Sequence, residues 1–200
     1  MPRTVDPVER RAQVATAARA VIARDGLDAA TVRRVAAEAG SSTTVVTHYF
    51  ADKQALLLAA VQDAYAAVAV RMVAHIEAGP SGLSTLRAVL LEALPLDAER
   101  AAEARVCMAF WAAASTSPAL RAVQGAGYQQ WRQLVARVLA EAVERGEVST
   151  DLDPMDAGEQ LMCLVDGLLM QATLEPGRLP ADRQIRFLDA ALQRLARPTG

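Results

Sequence analysis

Thr43, Thr44, Thr47 and His48 crowd hydrogen-bonding side chains into one short run, TTVVTH. On a helix Thr43 and Thr47 share one side and Thr44 and His48 another, while Val46 and Phe50 fall together on the side that can be buried. A threonine hydroxyl can bond a base edge or a phosphate, and its methyl group can touch the methyl of thymine. The chemistry such a face offers is groove recognition of double-stranded DNA. A polar, solvated helix face is the plainer reading of any one of these residues, and the order of the whole stretch speaks against it. Catalysis has little to work with. The only histidines are His48 and His75. There is no nucleophile elbow and no metal-ligand spacing, and Gly125-Ala126-Gly127 lacks the third glycine and the preceding strand of a dinucleotide loop. No catalytic residue, metal or cofactor is expected, and the chain is not expected to be an enzyme.

Such a face must be held by flanking elements, and residues 26–57 supply them. Val32, Val35, Ala36 and Ala39 recur at helical spacing, which predicts a short helix over 32–39 with Thr31 as its N-cap. Gly40 can stop it by adopting positive φ. Ser42 can then cap a second short helix beginning at Thr43. Two short helices joined by a tight turn are the plan of a helix-turn-helix, whose second helix lies in the major groove. Before them, Asp6-Pro7-Val8-Glu9 starts a helix with a cap, a first-turn proline and a capping-box acid. Its stripe of Val14, Ala17, Ala18, Val21 and Ile22 would brace the two that read DNA, and Gly26 ends it. After them, Asp52 caps a long helix over 52–78 that can link a reading head to a body.

The run from Thr31 to Leu56 resembles the TetR family of transcriptional repressors. Thr31, Val32, Val35, Ala36, Ala39, Gly40, Ser42, Tyr49, Phe50, Lys53 and Leu56 fit the family pattern. Ser41, Thr44 and Thr47 depart from it, standing where valine, glycine and tyrosine are usual; that tyrosine commonly touches a phosphate. The HYF run with the following Asp52-Lys53 is similar to the subgroup of choline-responsive betaine-operon repressors. The resemblance covers about residues 8–75 well and the rest in layout. It implies that Thr31 and Arg33 lie at the DNA, that Thr43, Thr44 and Thr47 meet base edges or sugar-phosphate, and that Ser42, His48, Tyr49 and Lys53 hold the backbone. It implies a homodimer on a palindromic operator, released by a small-molecule effector bound in the C-terminal domain.

Composition bounds the remainder. Hydrophobic residues are 52% and charged residues 22% of 200, so disorder is not expected. Few segments alternate with period two, and an all-α fold follows. The net charge of −2 does not suggest a nucleic-acid binder. Residues 1–53, however, carry eight Lys/Arg against six Asp/Glu, whereas 54–200 carry thirteen against seventeen. The positive end coincides with the helix-turn-helix, and local charge is what a phosphate senses. The expected organisation is an N-terminal three-helix DNA-binding domain over 1–53 and a helical ligand-binding and dimerisation domain over 54–200. No apolar leader is visible at MPRTVDPVERR, and the apolar run Leu161–Met170 is interrupted by Asp166 and short for a bilayer. Cys107 and Cys163 lie far apart and fit no Cys-x-x-Cys arrangement. They could form a redox switch, but plain reduced thiols are the simpler account. A cytoplasmic protein without membrane contact is expected.

Gly79-Pro80-Ser81-Gly82 is the clearest break. Beyond it, helices are expected at about 84–94, 98–115, 118–146, 154–174 and 181–196, punctuated by Pro95, Pro118, Pro154 and Pro180. The 118–146 helix is apolar on two sides and should be central. The last two are apolar through Leu161, Val165, Leu168 and Leu169, then Ile185, Leu188, Leu192 and Leu195. The resemblance implies that this pair forms a four-helix bundle with its copy; closing the monomer's own core is the alternative. Phe110, Trp111, Tyr128, Trp131 and Met162 gather the large adaptable side chains of the middle helices and are candidate ligand contacts, with plain core as the rival. Asp166 sits between LMCLV and GLLM, and a buried carboxylate needs a partner. A neighbour such as Trp111, Trp131 or an arginine can supply it; alternatively Asp166 faces an effector's cation or hydroxyl, with the aromatic residues as a cage. The rival function is a small-molecule carrier that does not bind DNA, which would leave residues 31–53 idle; salt-dependent DNA affinity separates the two.

Overall fold

The fold is all-α. The computed structural model describes residues 6–79, 82–149 and 151–196. Among them the regular elements are helices, with one isolated bridge between Val148 and Ala196. Of the expected break, Pro80 and Ser81 lie outside the described residues.

Local chemistry sets the N-terminal helices as the sequence predicts. Helix α1 (Pro7–Asp25) begins where the Asp6 carboxylate accepts the Val8 N–H at 3.0 Å, and ends at Gly26 with φ 83°. A short 3-10 turn over Leu27–Ala29, which no sequence signal announces, leads to α2 (Val32–Glu38). Gly40 takes φ 57° and turns the chain into α3 (Thr43–Tyr49). The Asp52 carboxylate accepts the Ala55 N–H at 2.7 Å at the start of α4 (Lys53–Ala78). By length and composition α4 is apolar enough to cross a membrane. Its Leu56, Leu57, Ala60, Val61 and Ala64 are buried in the protein, whereas Val70 and Val73 are exposed.

Packing divides the chain into two units, and not at residue 53. The first holds the chain up to Ala67 together with Arg105–Leu120; the second holds Val68–Ala104 and the chain from Arg121 onward. Helix α6 (Ala98–Thr116) therefore contributes to both, as does α4. Polar contacts within the first unit give the reason. Arg105 donates to the Ala23 carbonyl at the end of α1, and the Gln54 amide donates to Ser117 Oγ at 2.9 Å. Asp63 on α4 accepts from Thr16 at 3.0 Å and pairs with Arg19 at 2.7 Å. These contacts draw the packing boundary away from the expected 53/54 division.

The second unit is built from the end of α4, the start of α6, α5 (Gly82–Glu92), α7 (Pro118–Glu144), α8 (Pro154–Leu174) and α9 (Ala181–Leu195). Leu86, Leu90, Leu139, Leu161, Val165 and Leu188 form the centre of its core. Helix α5 starts hard against α7: a Cβ on Gly82 would stand 2.3 Å from the Ala142 Cα. Only the second half of α7 is central, through Val135, Val138, Leu139 and Ala142, whereas Arg121, Ala122 and Val123 are exposed. Leu188 and Leu192, expected in a dimer bundle, are buried in this unit's own core, because α9 packs that side against α5 and α8. The apolar residues left on the outer sides of the last two helices are Met155, Met170 and Leu174 on α8 and Phe187 on α9.

A charged cluster lies within the second unit. The Arg71 guanidinium on α4 bonds Glu92 of α5 at 2.7 Å and both carboxylate oxygens of Glu103 on α6, at 3.1 and 2.7 Å. His75 Nε2 lies 3.0 Å from Glu92, and Arg100 approaches the same carboxylate at 3.7 Å. Burial pushes the Glu92 carboxyl up; Arg71, His75 and Arg100 more than offset it, leaving the group below the usual carboxylate range.

Candidate nucleic-acid interface

The first unit presents the expected DNA-reading residues on one helix-turn-helix. Two hydroxyls fix the entries of its helices. Thr31 Oγ1 accepts the Arg34 N–H and Ser42 Oγ accepts the Val45 N–H, each at 3.3 Å. Substituting such a cap by alanine typically costs about 1 kcal/mol. Val35, Ala36 and Val46 anchor the inner sides of α2 and α3, and Phe50 closes the pair from below. With Val46 and Phe50 inward, Thr43, Thr44, Thr47 and His48 are left exposed.

These outward groups are not equally free. The Thr47 hydroxyl donates back to its own helix, with the Thr43 and Thr44 carbonyls each at 3.1 Å. Its methyl group and oxygen lone pairs stay open to solvent, while its hydroxyl hydrogen is already engaged. Tyr49 is half-buried and meets the His48 ring edge-on, centroids 5.0 Å apart. Lys53 is bound at 2.9 Å to Asp28, whose carboxyl it holds below the ordinary aspartate value. Arg33 is exposed and pairs with no carboxylate among the described residues.

An open concavity of about 340 Å³ joins Ser42, Thr44, Val45, His48 and Tyr49 with Arg10 of α1. Sequence reasoning assigned α1 only a bracing role and missed Arg10. The signal that could have found it is spacing: Arg10 stands four residues before Val14 and seven before Ala17, so it prolongs the inner stripe of α1 past its first apolar residue.

The candidate effector residues fall in both units. Phe110 and Trp111 lie in the part of α6 that belongs to the first, Phe110 fully buried. The Trp111 indole nitrogen is buried without an acceptor among the described residues. Tyr128, Trp131, Met162 and Asp166 belong to the second unit. Met162 is buried and Trp131 packs against the core. Asp166 is partnered by Tyr128, at 2.7 Å, rather than by a tryptophan or an arginine. Burial pushes its carboxyl up, the Tyr128 hydroxyl lowers it in part, and the nearby Glu159 charge adds to the rise. Arg132 stands over the Tyr128 ring, 5.8 Å from its centre, and pairs with Glu159. Cys107 is buried in the first unit and Cys163 is exposed in the second, and neither is held in a disulfide among the described residues.

A capped helix-turn-helix with polar side chains outward, followed by a helical body, defines a DNA-binding transcriptional regulator. The comparisons agree. Residues 14–60 match the bacterial regulatory proteins of the tetR family, and residues 83–197 match the C-terminal region of BetI-type transcriptional repressors. The HTH-type transcriptional regulator PksA of Bacillus subtilis is 31% identical over 94% of this chain and 90% of its own. The HTH-type transcriptional regulator BetI of Escherichia coli is 30% identical over 87% of each. A transcriptional regulator from Rhodococcus superposes with a TM-score of 0.81 at 28% identity, covering 96% of both chains. A regulator from Saccharomonospora viridis, solved in complex with choline, shares the fold with a TM-score of 0.85 at 23% identity, over 94% of this chain and 98% of that one. The chain belongs to the TetR family of transcriptional regulators, with a BetI-type repressor C-terminal region.

Proposed function

We propose that this regulator is a cytoplasmic homodimeric repressor without catalytic activity of its own, released from a palindromic operator by a small organic effector. The observation that carries the DNA side is the exposed Thr43, Thr44, Thr47 and His48 face on a helix anchored by Val46 and Phe50. In a dimer two such helices would enter successive major grooves about 34 Å apart. Met155, Met170, Leu174 and Phe187 support dimerisation, because an apolar strip on two adjacent helices calls for a cover. Effector binding would favour a dimer with a different head spacing, which requires unequal affinity for the two states.

The effector is proposed to carry a polar or cationic group, with Tyr128, Trp131, Met162 and Asp166 of the second unit as candidate contacts and Phe110 and Trp111 of the first as separate candidates. The BetI-type match and the choline found with the Saccharomonospora viridis regulator support a quaternary ammonium. Two local features constrain that reading. Arg132 already covers the Tyr128 ring, so an ammonium must displace it or use another aromatic. The buried, unpaired Trp111 N–H is a donor that an effector's oxygen could satisfy, removing a desolvation cost of about 1–3 kcal/mol.

A footprint on the DNA flanking its own gene tests the reading, repeated with and without choline. Protection of a palindrome, lost on adding choline, is expected. No protection at any salt concentration would leave the carrier reading in its place.

A further inference from the structure

We infer that Arg10, on the bracing helix α1, is itself a DNA contact: its guanidinium takes a backbone phosphate in the concavity it shares with Ser42, Thr44, His48 and Tyr49. This rests on the regulator reading above and adds a residue that neither the motif nor the resemblance supplied.

Most described cations of the head are engaged, while Arg33 on α2, like Arg10, pairs with no carboxylate among the described residues. Arg19 is bound to Asp63, Arg24 to Asp25 and Glu38, Arg34 to Asp25, and Lys53 to Asp28. Arg11 stands over the Phe50 ring at 5.2 Å. Arg10 pairs with no carboxylate among the described residues; its one recorded bond is a long 3.4 Å contact to the neutral Gln13 side chain. A guanidinium left without a carboxylate, in a concavity beside α3, is available to pair with a phosphate.

The surroundings fit a phosphate better than a base. The concavity is open, and its lining of Arg10, Ser42, Thr44, Val45, His48 and Tyr49 contains no carboxylate to repel an anion. Serine, threonine and tyrosine hydroxyls can each donate to a phosphate oxygen, while the guanidinium can offer two parallel donors. Arg10 comes from a different helix than the readers Thr43 and Thr44. A phosphate held between α1 and α3 would therefore fix the angle at which α3 enters the groove, without reading sequence itself.

The test measures binding to an operator duplex and to a scrambled duplex of equal length, by fluorescence anisotropy across a potassium chloride series. Wild type is compared with Arg10→Gln and Arg10→Lys, with helical content and melting followed by circular dichroism. Arg10→Gln is expected to bind both duplexes about tenfold more weakly at low salt. Its dependence of log K on log salt should be shallower by about 1.8 for the dimer, the share of one phosphate per protomer. Arg10→Lys keeps the charge and should keep the slope. A folded Arg10→Gln protein with the wild-type slope overturns the proposal, as does weakening confined to the operator, which would mean base reading. Absence of salt-dependent binding by the wild type would instead overturn the regulator reading on which it stands.

Discussion

Tyr128 on α7 donates its hydroxyl hydrogen to the Asp166 carboxylate on α8, 2.7 Å away. The bond answers the question that an aspartate in an apolar helix poses. It also ties the group to Arg132 and Glu159, through the guanidinium over the Tyr128 ring and the ion pair beside it. One cluster thus links a carboxyl held above its ordinary value to a paired cation.

That shift predicts a pH dependence. Below the ordinary aspartate range, folded and unfolded chains both hold the proton. As pH rises through that range the unfolded chain releases it first, so the unfolded state binds fewer protons and stability falls. Above the raised folded value the loss is constant. Asp166→Asn keeps an acceptor for Tyr128 and should flatten this decline, with a melting temperature at neutral pH equal to or above wild type. Thermal melts across the acid range measure it. An Asn variant that melts far below wild type at neutral pH would show that the ionised carboxylate itself is required.

The Arg71 cluster predicts the opposite slope. Glu92 lies below the usual carboxylate range, so its contribution is present above that range and lost as pH falls through the folded value. Glu103→Gln strips Arg71 of its two-oxygen partner. Removing one member of a buried pair costs about 3–5 kcal/mol; with 27% of the Arg71 side chain still exposed, the lower end, about 3 kcal/mol, is expected here. Urea unfolding at neutral pH measures it.

Under the proposed interface Asp28, 2.9 Å from the Lys53 ammonium, would compete with DNA for it. Lys53→Ala should weaken binding to every duplex and flatten the salt slope by about one phosphate's worth per protomer. Asp28→Asn should do the reverse, tightening binding by about threefold through the freed charge. Thr44→Ala should instead change which operator variants are preferred. Anisotropy titrations on a small operator library separate the three; identical behaviour of all three variants and wild type would remove this face from the interface.

Dimerisation should respond to the outer residues of α8 and α9. Met170→Glu with Phe187→Glu is expected to give folded monomer in sedimentation, with operator affinity reduced at least a hundredfold, because two half-sites are no longer held together. Leu188→Glu should unfold the chain, since that side chain is fully buried in its own unit. A folded dimer from the double variant would move the interface elsewhere.

The sequence by itself determined the helices and their ends. Asp6, Thr31, Ser42, Asp52 and Asp153 are short polar side chains able to satisfy helix N–H groups, and Gly26 and Gly40 are free to take positive φ; such effects act within a few residues. The exposed face of Thr43, Thr44, Thr47 and His48 was legible for the same reason, because four-residue spacing on one short helix fixes which side chains point together. Contacts between distant segments were left to the tertiary structure. Arg105 reaching Ala23 puts half of α6 in the first unit, and Tyr128 rather than a tryptophan meets Asp166. Leu188 turns inward while Phe187 is left outside, although the sequence offers both as apolar residues of one helix. Apolar periodicity gives a helix a side to bury. Which neighbour covers that side depends on how all the helices pack at once, and no local pattern carries that information.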